Sequence, residues 1–427
     1  MHYLELMVTL VILVLLSAPG CHPPARQGSV VSIEQRGDSF QLMRNGQPYT
    51  ILGVGGTQDL ALLKRYGGNT IRTWDAEGMR SVLDEAQTLG ISVMLGIWLE
   101  HQRAGFDVTD DHARAEQRAR VRRFVLKFRD HPALLAWGVG NELELAGDMD
   151  LAIRQINEAA AVIKSLDPNH PTGAVIAEIG DDKAVRIQRA CPNIDFIGIN
   201  SYGGMGSLAQ RLDQQGYTGA YAVTEFGPIG TWETGLSSWG APFEQSSAAK
   251  AAFIRDNYLK TIKPNLGRQC LGSFAFVWGS KQEKTETWFG LLLKSGETTE
   301  SVDTLSALWT GTQVSNHAPH VTGITLDVEP ATLVPGQTFS ARVDAQDPDG
   351  DALSTQWRLM PESTSQSVGG DAEQYLTPVA VQIEPRSATE ATIKLPEVTG
   401  AYRLFAIVRD GNGHAGTANV PVLITGD

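Results

Sequence analysis

From residue 50 onward, short β-branched and apolar runs alternate with longer stretches whose apolar residues recur at helical spacing. The runs at 50–54, 70–74, 92–98, 134–139, 172–177, 196–200, 220–224 and 270–277 predict strands. Between and after them the spacing predicts helices over 60–66, 79–89, 112–128, 149–166, 183–190, 208–215, 245–262 and 302–309. Eight strands and eight helices in strict alternation predict an α/β fold of the (β/α)8 TIM-barrel kind. A doubly wound sheet would want a GxGxxG turn after its first strand, and TILGVGG does not supply one. Ahead of the barrel, residues 29–50 alternate with period two around Asn45-Gly46, the signature of a tight hairpin. In the third helix, Ala115, Ala119, Val121, Phe124, Val125 and Phe128 are expected to face the core. Arg114, Arg118, Arg120, Arg122, Arg123 and Arg129 then fall on a solvated outer face rather than on a nucleic-acid track.

The pattern changes after Gly311. TQVSNHAPHVTG reads as a polar linker, and beyond it come short strand-like segments separated by Gly, Pro and Asp turns, with no helical stripe. A small all-β sandwich of immunoglobulin-like size is expected there. Its DAQDPDGDALS and VRDGNGHAG stretches resemble turns of PKD and cadherin-like modules. Asp344, Asp347, Asp349, Asp351 and Asp410 in those turns could hold a structural calcium ion, although acidic turn residues are as common without one. The domain plan is thus a leader at 1–21, a tether at 22–29, the barrel with its hairpin at 30–311, a linker at 312–320 and the sandwich at 321–427.

Composition and charge narrow the partners. A net charge of −13 disfavours nucleic acid and anionic membrane surfaces. From residue 314 on there are 14 Asp and Glu against 6 Lys and Arg, so the acidity belongs to the sandwich. Eight of the nine Trp precede residue 310, an aromatic excess carried by the barrel. The opening MHYLELMVTLVILVLLSAPGC resembles a bacterial lipoprotein signal, which implies lipidation at Cys21 and a place at the cell envelope, with a cleaved signal or uncleaved anchor as alternatives. Of the remaining thiols, Cys191 and Cys270 are 79 residues apart, which permits a disulfide without implying one. No His and Cys spacing suggests a metal centre, and nothing calls for an organic cofactor.

In such a barrel, chemistry sits where strands finish. The second strand delivers Arg72, Thr73, Trp74 and Asp75; the third Trp98, Glu100 and His101; the fourth Asn141 and Glu142; the sixth Asn200 and Tyr202; the seventh Glu225; the eighth Trp278 and Gly279. Two carboxylates on opposite walls, amid Trp, Tyr, Asn and Arg, suit cleavage of a glycosidic bond. Indoles stack on sugar faces, amides and carboxylates meet hydroxyls, and two acids divide protonation of the leaving oxygen from attack on the anomeric carbon.

The motifs WGVGNE and VTEFG, with Arg72 in NTIRTWD and Tyr202 in INSYGG, resemble the clan of retaining (β/α)8 glycoside hydrolases, clan A. FQLMRNGQPYTILGVGG resembles the start of the family 2 catalytic barrel, and NTIRTWD with INSYGG resembles β-glucanosyltransferase-like members. The resemblance implies Glu142 as acid/base, Glu225 as nucleophile, Asn141 on the substrate's 2-hydroxyl, Arg72 and Tyr202 on Glu225, and Trp278 beneath the sugar. Trp98, Glu100, His101, Trp232, Trp239 and Trp288 are expected to line further sugar positions, while Glu144 should point elsewhere. The implied substrate is a β-linked, glucan-like polysaccharide attacked internally or rearranged by transglycosylation. A noncatalytic carbohydrate-binding protein, a β-mannan or xylan hydrolase and an inverting enzyme are the alternatives.

Overall fold

A computed structural model describes residues 28–145, 147–180, 182–366 and 370–426. The leader, Cys21 and most of the tether lie outside the described residues. Among the described residues, no helix is long and apolar enough to cross a membrane.

The eight parallel strands close into a barrel: Ile51–Gly55, Thr70–Arg72, Ser92–Ile97, Leu134–Val139, Thr172–Ala177, Phe196–Asn200, Ala220–Phe226 and Cys270–Ala275. Helices cover them on the outside, so most strands are buried on both faces and read as continuous apolar runs. The helix Asp111–Phe128 departs from its expected stripe. Arg114, Gln117, Val121, Phe124, Val125 and Phe128 face inward, while Ala115 and Ala119 are exposed. The outer arginines are tied to neighbours, Arg118 to Glu158 at 2.8 Å and Arg120 to Glu100 at 2.7 Å.

The N-terminal hairpin plugs the barrel floor. Its strands Val31–Arg36, Ser39–Arg44 and Gln47–Tyr49 form a small antiparallel sheet, and Val31, Phe40 and Leu42 pack with Met94, Val175 and Phe274 of the barrel interior. Burying each such side chain is worth about 1.5–3 kcal/mol. Backbone and side-chain bonds to Asn169 and Pro132, in the loops that enter strands, fasten it. Beneath it Ser29 Oγ, His170 and Asp167 line up at 2.9 and 2.8 Å, and Asp167 also takes the Trp137 indole N–H at 2.7 Å. The order imitates a catalytic triad, but Ser29 is 2% exposed and its hydroxyl is committed to the Leu134 carbonyl. The hairpin thus closes the floor, and the strand ends open at the opposite mouth.

The C-terminal domain faces a four-stranded sheet, with strands in the order His320–Leu326, Thr338–Gln346, Glu390–Lys394 and Gln382–Pro385, against a three-stranded one formed by Ser354–Pro361, Gly400–Arg409 and Ala415–Ile424. Phe339, Trp357, Leu359, Ile393, Leu404 and Val422 fill the space between. This sandwich packs firmly on the barrel. Arg403, 1% exposed, donates to the Pro242 carbonyl and to Glu362, and Asn419 donates to Glu244. Cys191 and Cys270 are both buried and free.

Candidate active site

The fourth strand ends at Val139, and Gly140 (φ 68°) and Glu142 (φ 52°) take left-handed conformations that turn the chain across the mouth. A glutamate in that region is costly, on the order of 1–3 kcal/mol, and such strain collects at functional positions. The next helix, Met149–Leu166, begins seven residues later with Asp148 as its cap. Glu142 is therefore not a helix N-terminal acid. Its backbone N–H bonds to Val175 O at 2.9 Å, fixing the turn to the fifth strand.

Glu225 reaches the mouth by a different device. Along the seventh strand, Ala220 and Ala222 face the barrel interior while Tyr221 and Val223 face the helices. Strict alternation would send Glu225 outward. The pairing slips between Val223 and Glu225, where Val223 opposes Ile199 but Glu225 opposes Asn200. This bulge re-aims the carboxylate inward. Arg72 Nη1 then donates to Glu225 Oε1 at 2.7 Å, Trp74 Nε1 to the same oxygen at 3.0 Å, and Tyr202 OH to Oε2 at 2.8 Å. Three donors, one cationic, complement a charged carboxylate. Burial, and next the Glu225 charge, raise the Tyr202 phenol well above its ordinary value, so it remains a donor.

Glu142 has the opposite surroundings. Burial first, and then the Glu225 charge, push its carboxyl up to about 8 against the Asn200 amide, which donates to Oε1 at 2.7 Å. Asn200 is itself held by Thr224 Oγ1 at 2.8 Å. Arg72 Nη2 donates to Asn141 Oδ1 at 2.6 Å and Asn200 Nδ2 approaches it at 3.3 Å. That orientation leaves the Asn141 Nδ2 hydrogens to donate to a ligand. The mouth thus holds one acid pushed upward by burial and a neighbouring carboxylate and one carboxylate gripped by donors, the division that acid/base and nucleophilic roles require.

Other expected site residues scatter. Trp278 is a correction: at 2% exposure it sits in the main core, its backbone N–H on Gly55 O at 2.7 Å and its indole directed to Asp59 O. The chain leaves the ladder at Ala275, and Phe276 meets the Trp74 and Tyr202 rings in T-shaped contacts instead. Trp288 is a second correction, 1% exposed and bonded through Nε1 to Ile229 O at 2.9 Å, where it pins the long loop after the seventh strand. Trp232 is 60% exposed and meets the Tyr202 ring edge-on at 5.6 Å, while Trp239 is half-buried. Glu100 turns to Arg120. His101 is buried with neither ring nitrogen bonded, stacks near Trp98 at 4.9 Å, and is held below its ordinary pKa chiefly by burial. Glu144 points away, to Lys183 and the Ala177 N–H.

Trp74 and Asn200 are the contributors the sequence reading left without a role. Trp74 stands two residues beyond Arg72, and period two was the signal that could have placed both on one face. In the sandwich, oxygens of Asp347, Asp351 and Asp410 lie within 4.8 Å of one another, an arrangement able to hold a cation. Asp347 Oδ2 is buried there without a partner, as a metal-directed oxygen would be. Asp344 pairs instead with Arg342 and Asp349 with His317, which removes both from the group.

The family model described as glycosyl hydrolases family 2, TIM barrel domain, matches residues 57–263. Over 63 residues the chain is 36% identical to mannan endo-1,4-beta-mannosidase F of Aspergillus clavatus, a stretch covering 14% of either protein. Among solved structures, a calcium-binding mutant of Bacteroides uniformis beta-glucuronidase 2 superposes with a TM-score of 0.52 at 14% identity, over 93% of this chain and 48% of that one. The FMN-binding beta-glucuronidase of Faecalibacterium prausnitzii L2-6 gives 0.52 at 15% identity, over 93% and 59%. Ruminococcus gnavus beta-glucuronidase gives 0.52 at 16%, over 66% and 53%. The chain spans about half the length of these structures, and at such identities the likeness is one of fold. The matched region lies within the barrel and contains Arg72, Glu142, Tyr202 and Glu225.

Proposed function

We propose that the protein is a retaining β-glycosidase in which Glu225 attacks the anomeric carbon and Glu142 protonates the departing oxygen, then activates the water that releases the sugar. The observation that carries this reading is the contrast at the mouth: Glu225 gripped by Arg72, Trp74 and Tyr202, Glu142 raised to about 8. Arg72 bridges the two halves by holding Glu225 and Asn141 together, so the amide that would meet the substrate is set by the group that orients the nucleophile.

A β-linked, glucan-like oligosaccharide or polysaccharide is the substrate class we favour, with transfer to a second sugar as an alternative fate of the glycosyl-enzyme. The exposed indole of Trp232 beside Tyr202 supports a sugar platform at the rim. A β-mannan is the second reading, supported by the short stretch shared with an endo-mannosidase. Calcium is our choice for the Asp347, Asp351 and Asp410 group, since hard oxygen donors suit it. The apolar leader and Cys21 support an exported, lipid-anchored location.

The test is incubation with defined β-glucans, mannans and xylans, resolving shorter and longer products. Glu225→Gln is expected to abolish turnover, and Glu142→Gln to lower it roughly 10²- to 10⁴-fold. A dinitrophenyl glycoside, whose leaving group needs no proton, should be spared most of the second loss. Full hydrolysis by Glu225→Gln would sink the mechanism, and an inverted first-formed anomer would convert it to the inverting kind.

A further inference from the structure

The segment of the sandwich at 370–375 is fastened at both ends to loops of the barrel mouth. At one end, Asp371 takes a bidentate pair from Arg103, at 2.8 and 2.9 Å, in the loop that follows the third strand. At the other, Glu373 accepts the backbone N–H of Lys284 at 3.0 Å, and Tyr375 OH meets Ser280 Oγ at 3.1 Å, both in the loop that follows the eighth. The Lys294 ammonium lies 4.2 Å from the centre of the Tyr375 ring. Lys284 is held at φ 58°, a left-handed conformation for a residue with a side chain, and its ammonium is bonded to the Ser365 carbonyl of the sandwich.

The loops that receive the two ends lie within electrostatic range of Glu142 and Glu225. The Glu142 charge is felt at Arg103, as is Asp371. The charges of Glu373 and Glu225 are both felt at Glu283. In the closed barrel, the eighth and third strands are separated by the first and second on one side and by the fourth to seventh on the other. Six extended residues reach at most roughly 20 Å, which suits the shorter path between the two loops.

We propose that residues 370–375 are a wall of the substrate cleft, closing it above the exits of the first and second strands and leaving it open toward the exits of the fourth to seventh. The exposed Trp232, whose ring meets that of Tyr202, stands on that open rim. The proposal rests on the glycosidase reading and revises its expectation of internal attack. A cleft blind at one end admits only a short run of sugars on that side, so the enzyme takes chain ends and short oligosaccharides in preference to the interior of a polymer. The sandwich is then part of the specificity machinery rather than a spacer.

The test compares the full chain with an Asp371→Ala, Glu373→Ala, Tyr375→Ala variant, measuring the rate on a long soluble β-glucan relative to a short oligosaccharide of the same linkage, and sizing the products. The expected result is a rise of at least fivefold in the polymer-to-oligosaccharide ratio, with longer first products. If that variant loses its cooperative thermal transition, the isosteric pair Asp371→Asn and Glu373→Gln carries the same comparison. An unchanged ratio and product length, with cleavage still dependent on Glu142, would overturn the wall and leave the glycosidase reading intact. Absence of any Glu142-dependent cleavage in the unaltered chain would overturn both.

Discussion

Two glutamates on the barrel are buried to a similar degree and behave in opposite ways. Glu142 stands at the mouth; Glu244 lies under the sandwich, its side chain 1% exposed. Burial pushes both carboxyls upward. At Glu244 it is overcome by the Lys250 ammonium in contact at 2.5 Å, with Thr285 at 2.7 Å and Thr287 at 2.8 Å adding donors, and the carboxyl ends below its ordinary value. At Glu142 the nearest charge is another carboxylate, which adds to burial, and the carboxyl rises to about 8. Burial alone therefore does not separate a structural acid from a reactive one. The sign of the neighbour does: a compensated acid locks two domains together, and an uncompensated one holds a proton available for transfer.

The largest expected effect on stability comes from removing compensation where it exists. Lys250→Met leaves Glu244 as an unpaired buried charge and should cost about 3–5 kcal/mol, read by chemical denaturation of the full chain near pH 7. Adding Glu244→Gln to that variant should recover much of the loss, because the double change removes both charges. A loss under about 1 kcal/mol for Lys250→Met would break the comparison. At the mouth the direction reverses. Glu142→Gln should stabilise the protein at pH 7 by on the order of 1–3 kcal/mol while impairing turnover, since a neutral amide removes a group whose ionisation opposes folding.

The barrel was legible because alternation of strand and helix is written over more than two hundred residues, and each apolar run needed only to be roughly placed. The position of Glu142 and Glu225 at strand ends was legible, but the reason Glu225 points inward was not. A bulge between Val223 and Glu225 decides it, and the local sequence does not announce one. The tryptophans failed in a similar way. Trp278 stands just past the eighth strand as Trp74 stands past the second, yet the backbone's path after Ala275 turns it into the core, and Trp288 is buried against Tyr202, Phe276 and Phe289. In the helix Asp111–Phe128 a pattern read by hydropathy passed over Arg114 and Gln117, which are buried while Arg114 Nη2 pairs with Asp111 and Gln117 Oε1 accepts from Gln155. The contribution of residues 370–375 was illegible in principle, since nothing local ties a sandwich loop to Arg103, 268 positions away.

The smallest effect is also the one that isolates the neighbour's contribution. Because the folded-state value of Glu142 lies above 4.5, its ionisation penalty is absent below that pH and grows as pH rises toward about 8. The stability difference between Glu142→Gln and the unaltered protein should follow the same course, near zero at pH 4.5, increasing through neutrality and level above about 8. Glu225→Gln removes the second cause of the shift and leaves burial, so in that background the same difference should level off at a lower pH and a smaller height. For the active enzyme, the basic limb of kcat/KM should fall as pH rises through about 8, where Glu142 loses the proton it must donate. Thermal melts of the four proteins across pH 4.5 to 9 measure the coupling directly. If the difference is the same with and without the Glu225 charge, burial alone sets the Glu142 carboxyl and the neighbour's sign is not what separates it from Glu244.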